Sequence, residues 1–289
     1  MNLLKSVFIS AFISWLVIVS FYALMQLAMG VEPLISWLGL ALTALSPLVF
    51  FLNAFMFKQP RTRRHPIEFS LPSGLGVAIT MGMSFRYGQA AGAIHVWAGI
   101  TLFAWLVYLR WYSEFRGRDS TALRPGSTLP EFQLETLDSH VVSSQSFRAK
   151  PHLLLFFRGN WCPFCTAQIK ELAASYQRLE DLGVNVVLIS PQSVRKNQAL
   201  SARFSAPMIF LRDRDNMAAK QLGIVHRWGT PMGLQMLGYE SDTVLPTVIL
   251  TDSRGIILFS DQTDNYRVRP EPEVFENLFR EKLPPKQGE

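Results

Sequence analysis

Cysteine is almost missing from this 289-residue chain: there are two, Cys162 and Cys165. A scaffold held by several disulfides is thereby excluded, as is a zinc site built on two cysteine pairs. Charge is scarce as well, at 17% of residues against 49% hydrophobic, where soluble domains carry about 25% charged residues. The scarcity is uneven. Residues 1–112 contain seven Lys/Arg and two Asp/Glu, a net of +5, whereas residues 113–289 contain twenty-one and twenty, a net of +1. The basic excess therefore belongs to the front part, and the rear part lacks the clustered Lys/Arg stripe that a nucleic-acid groove needs.

What the front part does contain is uncharged runs. Ser6–Val31 is 26 residues without a charged side chain, Pro33–Phe57 is 25 and Tyr87–Leu109 is 23. Each exceeds the ~20 residues with which a helix crosses a hydrocarbon layer ~30 Å thick. Phe69–Phe85 has only 17 and carries Pro72, Gly74, Gly76 and Gly82, the composition of a short span or a re-entrant piece. The expectation is a membrane region over 1–112, an α-helical transmembrane bundle with three or four spans at about 6–29, 34–57, 69–85 (the doubtful one) and 90–110. A cleaved signal peptide fits poorly, because the first run is too long and another follows at once. Lys5, the cluster Lys58, Arg61, Arg63 and Arg64, and the cluster Arg110, Arg116 and Arg118 set the orientation, since short basic loops stay cytoplasmic. Four spans put all three sites on one side and the rear domain in the cytoplasm. Three spans would send it across, into the periplasm if the membrane is a bacterial inner membrane, the location this pattern suggests. The front part has no cysteine, so it cannot relay disulfides, and His95 lacks a second histidine for a haem. Trp97, Trp105, Trp111 and Tyr112 read as packing or interfacial anchors. The first expected partner is thus the lipid bilayer.

After a polar connector, 113–122, the pattern becomes α/β. "HLLLFF" (152–157) and "VNVVLIS" (184–190) are continuous apolar runs, as in strands buried on both faces. Between them, 163–182 has helical periodicity and stops at Gly183. A polar amphipathic helix over 192–204, a strand over 208–211, a brief helix over 216–222, strands at 247–251 and 256–260 and a helix over 271–282 complete the order. Segments 129–135 and 139–147 precede it. The prediction is a mixed central sheet flanked by helices on both faces.

Cys162 and Cys165 fall at the junction of the first buried strand and its helix, in "FFRGNWCPFCTAQIKEL" (156–172). A thiol there faces the unpaired N–H groups and positive dipole end of the helix, which favours thiolate; Pro163 suits the first turn. Cys165 lies one turn on, so the pair reads as attacking thiol and resolving thiol, a redox-active dithiol with no cofactor or metal beside it. Zinc would need four ligands, and His140, His152 and His226 are scattered. A structural disulfide closing so short a loop would remove little chain entropy. Arg158 could add positive charge.

The rear part resembles the thioredoxin-fold superfamily, and within it the peroxiredoxin-like alkyl hydroperoxide reductase/thiol-specific antioxidant (AhpC/TSA) domain, over about 123–285. "RPGSTLPEFQLETLDSHVVSSQSF" resembles that group's leading segment, "WCPFC" with Trp161 and Pro163 a thioredoxin or glutaredoxin active site, and "LRDRDNMAAKQLGI" its third strand and helix. "VLPTVILTDSRGIILF" is similar to the thioredoxin cis-proline segment, which makes Pro246 the implied cis-proline and Leu245 the implied substrate-binding backbone. The peroxiredoxin pattern P-x-x-x-T/S-x-x-C is not kept: counted from Cys162 its positions hold Leu155 and Gly159, and from Cys165 Arg158 and Cys162. The family's peroxide-orienting arginine usually lies just before the strand that here begins at Thr247, where Leu245 and Pro246 stand. Thioredoxin's buried acid is missing from "HLLLFF", so the proton must be handled by water or another group. An insertion over 225–243 offers Trp228, Met232, Met236 and Tyr239 as an apolar lip or as self-packing loop residues.

Three functions follow from this reading. The leading one is a membrane-anchored oxidoreductase exchanging disulfides with a protein or small-molecule partner, Cys162 attacking and Cys165 resolving. The second is a hydroperoxide reductase, in which Cys162 becomes a sulfenic acid that Cys165 condenses. The third is a non-enzymatic redox sensor or scaffold.

Overall fold

The computed structural model describes residues 2–57, 59–87, 92–115, 117–118 and 121–283. Lys58 and Arg116 of the basic clusters, residues 90–91 of the last expected span, 119–120 of the connector and 284–285 of the expected redox domain lie outside the described residues.

The front part forms four helices, α1 (Asn2–Ala28), α2 (Leu34–Met56), α3 (Ile67–Tyr87) and α4 (Gly92–Val107), the last continuing through a π-helical turn over Tyr108–Tyr112. Asn2–Ala28, Leu34–Met56 and Ala93–Tyr112 are long and apolar enough to cross a membrane. On α1, Ile9, Phe12, Leu16, Val19 and Ala23 are buried at three- and four-residue spacing, while Val17, Ile18, Phe21 and Leu24 are exposed. A helix facing water would be polar on that outer side; on this one it is apolar.

The short run with the doubtful status is a continuous 21-residue helix through Pro72, α3, although it is not among the three apolar enough to span. One of its glycines, Gly76, serves packing. A Cβ on Gly76 would lie 2.3 Å from the carbonyl oxygen of Gly39 on α2, so only glycine admits this close approach of the two backbones. The Ser73 hydroxyl donates to Thr43 O at 3.0 Å in the same crossing.

The rear part begins with the hairpin β1 (Gln133–Glu135) and β2 (Val141–Ser143), followed by β3 (His152–Phe156), α5 (Pro163–Ala174), α6 (Tyr176–Asp181), β4 (Asn185–Ser190), α7 (Val194–Ser201), β5 (Ile209–Arg212) and α8 (Met217–Gln221). A two-stranded ribbon, β6 (Val225–His226) with β7 (Thr243–Val244), brackets the insertion, and β8 (Thr247–Thr251), β9 (Ile257–Asp261) and α9 (Pro272–Lys282) close the fold. The seven-stranded sheet runs β2-β1-β5-β4-β3-β8-β9. Its centre, β3 with β4 and β4 with β5, is parallel, and its flanks are antiparallel. This is the thioredoxin-like mixed sheet flanked by helices that the sequence predicts.

The expected helix 163–182 is broken at Ser175, whose hydroxyl bonds back to Glu171 O at 2.9 Å. That local bond competes with the helical ladder, so α5 and α6 form instead of one rod. Side chains of β3 alternate between two cores. Leu154 and Phe156 join Phe132, Leu134 and the α8 residues Ala218 and Ala219. Leu153, Leu155 and Phe157 join α5, α9 and, in the same cluster, Phe12, Phe50 and Trp105 of the helical bundle. The face of the sheet that carries the cysteines is therefore the face turned to the bundle.

Candidate active site

The cysteines owe their position to a turn that begins where β3 ends. Phe157 N still donates to Ile189 O at 2.9 Å, and then Gly159 takes φ +145°. A Cβ there would meet Trp161 Nε1 at 2.8 Å, so the threonine that the resemblance would place at this position is sterically refused. Cys162 follows as the N-cap of α5, with Pro163 behind it in the first turn. Its carbonyl accepts from Cys165 N and Thr166 N, both at 3.1 Å.

Both thiols are free and buried, Cys162 at 1% exposure and Cys165 at 0%. The second thiol is held by an arginine from the other end of the domain. Arg269, in the segment between β9 and α9, donates from Nη2 to Cys165 Sγ at 3.4 Å and from Nη1 to Gln168 Oε1 at 2.6 Å, while its Nε donates to Tyr266 O at 2.9 Å. With Arg269 itself 6% exposed, this is a fixed cation beside one sulfur in a dry site, where Coulomb attraction is strong.

That cation decides where the anion sits. Burial alone would push the Cys165 thiol up, but the hydrogen bond from Cys162 and the guanidinium of Arg269 outweigh it and hold Cys165 well below the ordinary thiol range. Burial pushes Cys162 up, and its bond to Cys165 reinforces the shift. The two shifts run in opposite directions, so of the two sulfurs Cys165 is the one on which the site favours negative charge. The helix N-terminus had suggested the reverse; a buried arginine at hydrogen-bond distance is a stronger local charge than a helix end.

Arg158 is 4% exposed, its guanidinium 4.7 Å from the Trp161 ring centroid and 5.7 Å from that of Tyr266. Its Nη2 donates to Gly229 O, and its Nε has no hydrogen-bond partner among the described residues. Thr243 Oγ1 donates to Arg158 O at 2.9 Å, and the Tyr239 hydroxyl donates to Asn160 Oδ1. The insertion is thus pinned onto the turn before Cys162. Of its four apolar candidates, Met232 lines a cavity shared with Cys162, Tyr239 holds Asn160, and Trp228 and Met236 are exposed at 47% and 91%.

Leu245 and Pro246 behave differently from the expectation. The cis peptide bond found among the described residues is Glu32–Pro33, and Leu245–Pro246 is trans. Leu245 N donates to Ile224 O at 2.7 Å, which carries the chain extended from β7 into β8 and leaves no reversal for a cis bond to make. Arg118, from the connector, donates to Pro246 O and to Thr247 Oγ1, so the position expected to lack an arginine receives one from elsewhere in the chain. Arg269, Gln168 and Tyr266 were not foreseen as site residues. The one signal was the pair Arg267 and Arg269 just before the last helix, two cations in a stretch otherwise suited to packing. Among the described residues no three His, Cys, Asp or Glu side chains gather as metal ligands.

The AhpC/TSA family profile matches residues 125–260, all but the last residue of this sheet, together with the turn that carries both thiols. The chloroplastic peroxiredoxin Q of Sedum lineare is 31% identical over 155 residues, 53% of this chain and 75% of that protein. The chain belongs to the AhpC/TSA family. Other AhpC/TSA relatives include the chloroplastic peroxiredoxin Q of Triticum aestivum, 28% identical over 153 residues and matched over 64% of its length. The putative peroxiredoxin bcp of Coxiella burnetii is 25% identical over 136 residues, 47% of this chain and 86% of that protein. Among solved structures, the peroxidoxin BcpB of Mycobacterium tuberculosis superposes over 56% of this chain and 99% of its own, with 17% identity and a TM-score of 0.47. The helices α1–α4 precede the matched residues.

Proposed function

We propose that this AhpC/TSA protein is a membrane-anchored thiol peroxidase, with Cys162 as the peroxidatic and Cys165 as the resolving residue. The observation that carries the reading is the burial of the dithiol: with Cys162 at 1% and Cys165 at 0% exposure, a folded protein's disulfide has no line of attack, while a small hydroperoxide fits the cavity beside Cys162. Disulfide exchange with a protein, the leading expectation from the sequence, needs a nucleophile on the surface. Kinship with peroxiredoxins supports the same choice.

The chemistry then runs on the chain's own groups. Cys162 passes its proton to the Cys165 sulfur, and the Cys162 thiolate attacks the terminal oxygen of the hydroperoxide. The S–O bond forms, the O–O bond breaks, and the leaving alkoxide takes the proton from Cys165, giving an alcohol, a Cys162 sulfenic acid and a Cys165 thiolate. Arg269 stabilises that thiolate, which attacks the Cys162 sulfur. The S–S bond forms, hydroxide leaves and is protonated to water. Cys165 with Arg269 supplies the proton handling that the missing carboxylate of β3 cannot. A thiol reductant is required to reopen the disulfide.

The anchoring is part of the proposal. The start of α1, the loop between α2 and α3 and the turn that continues α4 all meet the redox domain, through Ser6 Oγ to Thr230 O at 2.6 Å, Thr62 N to Arg267 O and the Tyr108–Tyr266 hydroxyl pair at 2.7 Å. On this reading α3 crosses beside the three apolar helices, and with Lys5, Arg61, Arg63, Arg64 and Arg118 on one side the redox domain lies in the cytoplasm. Pre-reduced full-length protein mixed with a hydroperoxide should lose both thiols within seconds, and with an equal amount of a disulfide-containing protein should lose them at least a hundredfold more slowly. Faster oxidation by the protein disulfide would reverse the assignment.

A further inference from the structure

The insertion between β6 and β7 does not fold its apolar side chains back onto the sheet. Met236 and Leu237 stand at 91% and 65% exposure, and Trp228 and Met232 at 47% and 49%. Large apolar side chains left outside together on one loop mark a surface that meets something other than water.

What it meets follows from where the loop is tied. Ser6 Oγ donates to Thr230 O at 2.6 Å, Met232 N donates to Ser6 O at 3.1 Å, and Ser10 Oγ donates to Met232 O at 2.7 Å. Lys5 is the last charged residue before the uncharged run Ser6–Val31, so all three ties lie on the apolar side of that charge. At 1.5 Å per residue, Ser6 to Ser10 is about 6 Å of helix. Apolar side chains of interfacial segments reach about 5–10 Å into the headgroup–acyl boundary, a matching depth. Met232 and Leu234 also border one cavity with Ile13 of α1 and Phe55 of α2, and Phe55 is itself 51% exposed. The apolar surface of the loop is therefore continuous with the outer apolar surface of the helices.

The backbone of the loop suits that location, because a segment leaving water has to satisfy its own polar groups. Its tip is the 3₁₀ turn Leu234–Leu237. Leu234 N donates to Pro231 O, Met236 N to Gly233 O and Gly238 N to Gln235 O, and Gly233 N donates to Gln235 Oε1 at 3.0 Å. The carbonyls of Leu237 and Gly238 accept from Lys196 Nζ at 2.9 and 3.0 Å. Lys196 thus sets a cation beside the apolar tip, and Arg227 is exposed at the base of the loop. Apolar side chains with basic neighbours match an acyl layer covered by anionic headgroups.

Resting on the anchored reading above, we propose that the insertion is a second membrane contact, an interfacial foot by which the redox domain stands on an anionic bilayer surface. Met232, Met236 and Leu237 sit among the headgroups and first acyl carbons, and Lys196 and Arg227 face the phosphates. The foot does not cross the hydrocarbon. Its other side holds the turn before Cys162, through Gly229 O to Arg158 and the Tyr239 hydroxyl to Asn160, so the bilayer surface sets the height of the dithiol turn.

The test uses the full chain in phosphatidylcholine/phosphatidylglycerol vesicles, with Cys162→Ser and Cys165→Ser so that a nitroxide label goes to one introduced cysteine. Met236→Cys and Leu237→Cys, both at exposed positions, are compared with two references. Ile18→Cys reports the outer face of α1, where Ile18 is 63% exposed. Ser253→Cys reports the exposed turn between β8 and β9, at the end of the sheet away from the thiols. Electron paramagnetic resonance gives the collision rate of each label with oxygen, which concentrates in lipid, and with a neutral nickel chelate, which stays in water. The oxygen-to-nickel ratio at Met236→Cys and Leu237→Cys should exceed that at Ser253→Cys about fivefold or more and fall below that at Ile18→Cys, as an interfacial depth requires. Ratios equal to that of Ser253→Cys, with Ile18→Cys in lipid, would overturn the foot while leaving the anchor standing. Slow collisions with both reagents at the loop would show a protein surface covering it and would overturn the foot as well. A water-exposed label at Ile18→Cys would overturn the anchoring itself.

Discussion

At Cys165 the balance of two effects is visible in one contact. Burial opposes charge on any thiol, yet Arg269 Nη2 lies 3.4 Å from this sulfur and Cys162 donates to it. Arg269 is held in turn by Gln168 and the Tyr266 carbonyl, so its position is fixed before any substrate arrives. Arg269→Met should therefore raise the Cys165 pKa and lower disulfide formation at pH 7 about tenfold or more, the rate recovering as pH rises. Arg269→Lys should restore part of the rate and part of the low pKa. Thiolate ultraviolet absorbance titrated against pH checks both. The cysteines were legible in the sequence because a strand-to-helix junction has a local signature. Arg269 was not, being 104 residues away from Cys165 and brought there only by the path of the chain after β9.

At the scale of single elements, the helix stops and buried strands were legible for physical reasons. β3 and β4 are apolar on both faces because helices cover both, and Gly183 and Gly223 take positive φ where α6 and α8 end. The status of α3 was not, since its glycines read as breakers until Gly39 stands opposite Gly76. The short helix α8 depends on Asp213, whose carboxylate accepts from Ala218 N at 2.8 Å and Ala219 N at 2.9 Å. Burial outweighs those bonds and pushes its pKa up to about 6. A carboxyl raised above its unfolded value stabilises the fold while protonated and loses that contribution as pH rises through the folded value. Stability should fall by on the order of 2 kcal/mol between pH 4 and pH 6.5. Asp213→Asn should flatten this component, read as the difference in melting temperature between variant and parent across that range.

Across the whole molecule, one arginine joins the two halves. Arg267 is fully buried and donates to Ser113 Oγ, to Thr62 Oγ1 and to the carbonyls of Arg63 and Arg64, with Phe50 and Tyr108 rings within 6 Å of its guanidinium. Arg61 adds an ion pair to Glu171 on α5. Arg267→Ala would leave several buried acceptors unmatched and should cost about 3 kcal/mol or more, with faster protease cleavage of the 59–66 segment as the accompanying sign. None of this docking was legible in the sequence, where a bundle and a redox domain read as tether and cargo. The contacts that make them one unit join residues up to 224 positions apart, and they are also what buries Cys162 and walls its cavity.

The central step is Cys162 attacking a hydroperoxide while Cys165 resolves. The most direct measurement is mass spectrometry of Cys165→Ser and Cys162→Ser full-length protein after one equivalent of hydroperoxide in the presence of a sulfenic-acid trap. A trapped adduct is expected on Cys162 in Cys165→Ser and none on Cys165 in Cys162→Ser. An adduct on Cys165 in Cys162→Ser, with Cys162 unmodified in its counterpart, would contradict it.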